Sequence, residues 1–189
     1  MVSIEQRIRA WSGRQIDKWA HYGQIYDRHF AHRATAVKRV LEIGVDHGGS
    51  LQLWKEVFPN ALIVGVDINP ACKQYEEDRI QIEIGDQADS GFWASLWDHY
   101  TGFDIVIDDG SHDREHQSVS FNALWRQTRM VYLIEDCHGP YPAIVTNDRP
   151  LRFEYPWVLV LERPERIIRG TPSRELRPDE VAARERSFA

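Results

Sequence analysis

The sequence is poor in cysteine, in long apolar runs and in positive charge. Only Cys72 and Cys137 occur in 189 residues, far apart, which excludes a disulfide scaffold and a paired-thiol zinc site. No charge-free run approaches the roughly 18–20 residues of a membrane span. The opening MVSIEQRIRAW is charged and has no apolar stretch of the secretory kind. The expectation is therefore a cytoplasmic protein with no membrane partner. Lys and Arg number 23 against 29 Asp and Glu, for a net charge of −6, which is a poor basis for gripping a nucleic-acid backbone. Internal repeats and low-complexity tracts are missing as well.

With 42% hydrophobic and 28% charged residues, the chain has the composition of a globular fold of one domain. Residues 1–36 read as a helical segment: Ile4, Ile8 and Trp11 form one stripe, and Ile16, Trp19, Tyr22 and Ile25 another, with Ser12-Gly13 between them. Short apolar runs follow at 40–44, 61–66, 80–84, 103–107 and 130–134. Helical stretches at about 50–58, 91–99 and 114–126 separate most of them. Strand and helix in alternation predict a mostly parallel, doubly wound α/β sheet of Rossmann-like type over residues 37–170. Runs at 151–155 and 157–161, cornered at Pro156, predict a C-terminal antiparallel hairpin, which a short run at 166–169 extends. Pro140, Pro142 and Pro150 argue against a long helix between 137 and 150. The Arg- and Glu-rich stretch 171–189 reads as a charged tail.

Ligands of such sheets bind beyond the carboxyl ends of the strands. After the first run comes Gly44-Val-Asp-His-Gly-Gly-Ser50, a glycine-rich turn into a helix whose spacing is not that of a dinucleotide fingerprint. A bare strand–helix turn is the plain alternative. After the second comes Asp67, placed to accept from a ribose diol or to cap the next turn. After the third, Asp86 and Gln87 have the chemistry for an adenine edge, and Asp89 suits that or a helix cap. The fourth and fifth runs end in Asp108-Asp109-Gly-Ser-His112 and Glu135-Asp136. Carboxylates directly after buried strands need a counter-charge. Asp109, Glu135 and Asp136 on neighbouring strands would suit a hard divalent ion such as Mg2+. Helix capping without a metal is the alternative. His112 suits a general base. With His116 four residues on, Asp109 and His112 also spell a two-His-one-carboxylate iron site. His47, His99 and His138 have no clear partner, although His138 follows the acidic pair.

The stretches DKWAHYGQIYDRHF, LEIGVDHGGSLQLWKEVFPNALIVGVDI, GDQAD, FDIVIDDGSHDREH and VYLIEDCHGPY, within residues 17–141, resemble class I S-adenosylmethionine-dependent methyltransferases. Within that class they are similar to the metal-dependent macrocin and mycinamicin sugar O-methyltransferases, and to the cephalosporin hydroxylase/rhamnosyl O-methyltransferase group. The resemblance implies that Gly44, Gly48, Gly49 and Ser50 form the cofactor turn, with Asp67 at the ribose and Asp86, Gln87 and Ala88 at the adenine. It places Tyr22 and Asp108 around the cofactor, gives Mg2+ to Asp109, Glu135 and Asp136, and makes His112 the base. It implies methyl transfer to a hydroxyl of a small acceptor, a sugar or glycosylated natural product. Tyr141, in the proline-rich stretch beside the acidic pair, and His138, directly after that pair, are the acceptor-contact candidates. Trp93, Trp97, Trp125 and Trp157 read as core residues first and acceptor contacts second. The chain departs from the family in having Gln127-Thr-Arg129 in place of a Pro-Gly-Gly turn, and the expectation is a methyl-transfer core without the relatives' extra N-terminal domain and acceptor-closing segments. A homodimer that completes the acceptor side is one consequence. An iron hydroxylase, a nicotinamide oxidoreductase and a non-catalytic S-adenosylmethionine-binding module are the competing readings.

Overall fold

Strands that are apolar on both sides require cover on both faces. The computed structural model, which describes residues 2–19, 21–137, 152–154 and 158–162, meets that requirement. Its strands are β1 (Arg39–Ile43), β2 (Leu62–Asp67), β3 (Ile80–Ile84), β4 (Phe103–Asp108), β5 (Thr128–Ile134), β6 (Arg152–Glu154) and β7 (Val158–Glu162). They form one sheet in the order β3-β2-β1-β4-β5-β7-β6. The first five are parallel, and β7 runs antiparallel between β5 and β6. The α/β class and the terminal hairpin thus agree with the sequence reading.

The helices are α1 (Ile4–Arg9), α2 (Tyr22–Phe30), α3 (Gly49–Val57), α4 (Ser90–Leu96) and α5 (Arg114–Leu124). Alternation along each strand sends neighbours to opposite faces. Val40, Ile63 and Ile105 pack with Tyr26, Phe30, Trp54 and Phe58. Leu41, Val64 and Val106 pack with Trp93, Leu96, Phe121 and Leu124. Trp93 is fully buried there, and Trp97 and Trp125 pack against the same cluster, so these three are core residues. Short polar side chains start the turns: Asn69 accepts from the Ala71 N–H, Asp89 from Gly91, and Asp113 from Glu115 and His116. Asp89 is therefore a cap.

Two expectations change. The second N-terminal helix starts at Tyr22, not Ile16, and residues 11–19 form an irregular strap. Trp11 Nε1 donates to the Arg14 carbonyl, and Arg14 reaches the Tyr75 carbonyl and Glu77. These tertiary contacts override the helical spacing. His112 also lies ahead of α5 and does not share a face with His116. Pro156, the stretch 138–150, the run 166–169 and the tail 171–189 lie outside the described residues.

Candidate active site

Sheet order reverses between β1 and β4, and the cleft beyond their carboxyl ends is the general ligand position of open α/β sheets. A cavity of about 840 Å³ lies there. The strap lines it with Gln15 to Trp19, and the strand ends line it with Gly44, Asp67, Asp109, His112, Glu135 and Asp136. Ladder bonds fix those ends together: Gly44 donates to Val66, Asp109 to Ile43, and Glu135 to Asp108.

The first turn is shaped by close approach. Gly44 has φ +91°, and a Cβ there would overlap the Asp109 carbonyl. Gly48, at φ +72°, opens α3 without a side-chain cap, so the first N–H groups of that helix remain available where Gly49 and Ser50 line the cavity. Asp67 accepts from the Val45 and Asp46 N–H groups through Oδ2, and from Asn69 through Oδ1. It thus fixes the turn while facing the cavity. Asp46, His112 and Asp136 are cavity-lining residues in the left-handed region, at φ +46°, +58° and +50°. Such backbone strain concentrates at functional sites.

Asp109, His112 and Asp136 each bring one ligating atom to within 4.8 Å of the others. His112 Nε2 is 3.7 Å from Asp136 Oδ2, and its buried Nδ1 has no hydrogen-bond partner among the described residues. Asp136 Oδ1 accepts from the hydroxyl of buried Tyr22 at 2.5 Å and from Trp19 Nε1 at 3.0 Å. The Tyr22 hydroxyl is held far above its ordinary pKa by burial and by Asp136. Two carboxylates, an imidazole with a spare nitrogen and open space beside them form a donor set that fits a divalent ion. Tyr22 therefore reaches the cavity, but its hydroxyl serves Asp136.

Glu135, expected among the metal ligands, is held by other partners in this structure. It is fully buried and both its oxygens are engaged, Oε1 by Tyr26 and Oε2 by Lys18. Lys18 also donates to Asp109 Oδ2 and to Glu42 Oε1, whose other oxygen accepts from Ser50. Burial and the neighbouring Asp109 push the Glu135 pKa well up, and burial pushes Glu42 up. Burial alone would lower the Lys18 pKa, but Asp109 and Glu135 outweigh it and hold the ammonium charged. Lys18, Tyr26 and Glu42 carried no assignment in the sequence. The available signal was a glutamate inside an apolar central strand.

Asp108 and Gln87 are expected around the cofactor. Both are buried and neither lines the cavity. Gln87 Nε2 donates to both Asp108 oxygens and to Ser120 Oγ, while its Oε1 accepts from the Ser111 N–H. The pair fastens the turn that carries His112. Asp86 is exposed and accepts from the Ala88 N–H, closing its own turn. His116 Nδ1 pairs with the Ser111 hydroxyl and stands apart from the Asp109–His112–Asp136 group. This removes the observation behind the two-His iron reading. Tyr141 and His138 lie outside the described residues. No described helix is long and apolar enough to cross a membrane.

No protein-family profile matches the chain. Over 125 residues it is 46% identical to demethylmacrocin O-methyltransferase of Streptomyces fradiae, covering 61% of this chain and 31% of that one. It is 32% identical over 162 residues to the 8-demethyl-8-alpha-L-rhamnosyl tetracenomycin-C 2'-O-methyltransferase of Streptomyces olivaceus, covering 74% and 43%. The mycinamycin-pathway methyltransferase MycE, solved with Mg, SAH and mycinamycin VI, superimposes with a TM-score of 0.71 at 30% identity, covering 90% of this chain and 57% of that one. The chain thus spans about a third to somewhat over half the length of these relatives. In sequence and in fold, it is a relative of the antibiotic-sugar O-methyltransferases and carries the class I methyltransferase sheet.

Proposed function

We propose that this chain carries the S-adenosylmethionine- and Mg2+-binding part of an O-methyltransferase acting on a hydroxyl of a sugar or glycosylated natural product. The observation that carries this reading is one cavity with Asp67 and the α3 N-terminus on its wall and the Asp109–His112–Asp136 group beside them. The chemistry of its relatives supports it. Asp67 is suited to a ribose diol, and Gly44 and Gly49 let the Asp109 carbonyl and the strap pack hard against the first turn, which shapes that wall of the cavity. Asp109 and Asp136 would hold the ion, with Glu135 as a third ligand once Lys18 yields an oxygen. The ion, when bound, supplies a Lewis acid that lowers the pKa of an acceptor hydroxyl. Methyl transfer forms an ether C–O bond and breaks the sulfonium C–S bond, leaving a thioether. The hydroxyl proton passes to His112, and Asp136 beside Nε2 stabilises the imidazolium so formed. The glycine turn and the strap, which line the cavity, would orient a bound cofactor toward the acceptor. Tyr141 and His138 are proposed acceptor contacts, and a homodimer that closes the acceptor side belongs to the same proposal.

The test is a divalent-ion and cofactor titration of Asp109→Asn beside the wild type. The variant should lose Mg2+-dependent methyl transfer and Mn2+ binding, with S-adenosylhomocysteine affinity kept within about threefold because Asp67 and the first turn are untouched. Equal turnover by the variant, and by wild type in EDTA, would contradict the metal role.

A further inference from the structure

The methyl transfer leaves Lys18 without a role. Its side chain is 2% exposed, and its ammonium donates to Glu42 Oε1 at 3.1 Å, Asp109 Oδ2 at 2.5 Å and Glu135 Oε2 at 3.0 Å. Glu42 and Glu135 are themselves buried, and their second oxygens are held by Ser50 and Tyr26. Without a counter-charge, such carboxylates repel one another and take up protons. The strap brings the lysine there and fixes it. Arg14 ties one end to Tyr75 and Glu77, the Arg14 and Gln15 carbonyls lie hard against Gly49, and Trp19 donates to Asp136 at the other end. Two of the three oxygens on Lys18 belong to residues that the metal reading assigns to the ion.

We propose that Lys18 is a tethered internal cation that holds Asp109 and Glu135 in place before a divalent ion arrives and sets how tightly that ion binds. The inference rests on the metal-dependent reading above. Three carboxylates (Glu42, Asp109, Glu135) share one lysine, and a fourth, Asp136, lies within reach of Asp109, so a divalent ion is still attracted. It meets an ammonium a few ångströms away and oxygens already in use, and both weaken its hold. Two consequences follow from the charges: the ion is exchangeable, and the fold does not depend on it. Lys18 is a positioning residue in this scheme and touches no reacting atom.

The test is Mn2+ titration followed by electron paramagnetic resonance, with thermal melts in EDTA and in Mg2+, on wild type, Lys18→Met, Lys18→Arg and Asp109→Asn. Lys18→Met should bind Mn2+ at least about tenfold more tightly than wild type, since a repelling charge is gone. Lys18→Arg keeps the charge and should stay within about threefold of wild type. Wild type should melt only slightly higher in Mg2+ than in EDTA, by the small mass-action gain of a weakly held ion. Lys18→Met should melt lower in EDTA and recover on adding the ion. If Lys18→Met does not fold, the double variant Lys18→Met/Glu42→Gln removes one charge of each sign and should still show the tighter Mn2+ binding. Equal or weaker Mn2+ binding by a folded variant lacking Lys18, with wild type binding and Asp109→Asn not, overturns this proposal alone. No Mn2+ binding by wild type overturns it together with the metal reading.

Discussion

Asp108 illustrates how a carboxylate at a strand end can be scaffold. It is fully buried, it accepts from Gln87 and Ser120, and burial, the dominant cause, pushes its pKa up to about 6 from 3.8. The folded state therefore binds this proton more readily than the unfolded chain does. The stabilisation is fully present below pH 3.8 and is lost as pH rises through about 6. The gap corresponds to at most about 3 kcal/mol. Urea unfolding of wild type and Asp108→Asn at pH 5 and pH 8 should show wild type gaining on the variant at pH 5. A stability difference that does not change with pH would count against the assignment. Gln87, oriented by Asp108, secures the Ser111 N–H in the turn that carries His112.

At the scale of elements, the sheet was legible because runs such as Phe103-Asp-Ile-Val-Ile107 are apolar on both sides, and β4 is buried at every position. The strap was not. Ile16, Trp19, Tyr22 and Ile25 fall at helical spacing, yet Ile16 packs on the core from irregular backbone, and Trp19 is 59% exposed and bonded to Asp136. Spacing reports a face and cannot report a partner more than a hundred residues away. The same limit hid Lys18, whereas Asp67, Asp109, His112 and Asp136 could be singled out because each lies at or just beyond the carboxyl end of a strand. Asp108, the last residue of β4, shows that position at a strand end does not say which way a side chain is held. The strap's seat gives a prediction. A Cβ at Gly49 would overlap the Gln15 and Arg14 carbonyls. Helical Gly→Ala ordinarily stabilises by up to about 1 kcal/mol. Gly49→Ala should instead destabilise by about 1–3 kcal/mol through overpacking. It should also weaken S-adenosylhomocysteine binding, because the strap forms one cavity wall. Denaturant unfolding with a binding titration checks both, and a stabilised variant with unchanged affinity would contradict the account.

For the molecule as a whole, the sheet gathers at one edge of its cleft a glycine turn, an acid after β2, an acidic group after β4 and β5, and three left-handed non-glycine residues. Two buried glutamates are balanced there by a buried lysine brought in from the N-terminal strap. The negative excess of the sequence thus has a local meaning where a cation and a cationic methyl donor are proposed to meet. The most direct test is calorimetric titration of the full chain with S-adenosylhomocysteine in the presence of Mg2+, beside Asp67→Ala. The account predicts one site per chain, with binding weakened at least about tenfold in the variant, as expected for losing hydrogen bonds to a charged acceptor. No binding by wild type, or tighter binding of NADH than of S-adenosylhomocysteine, would contradict it.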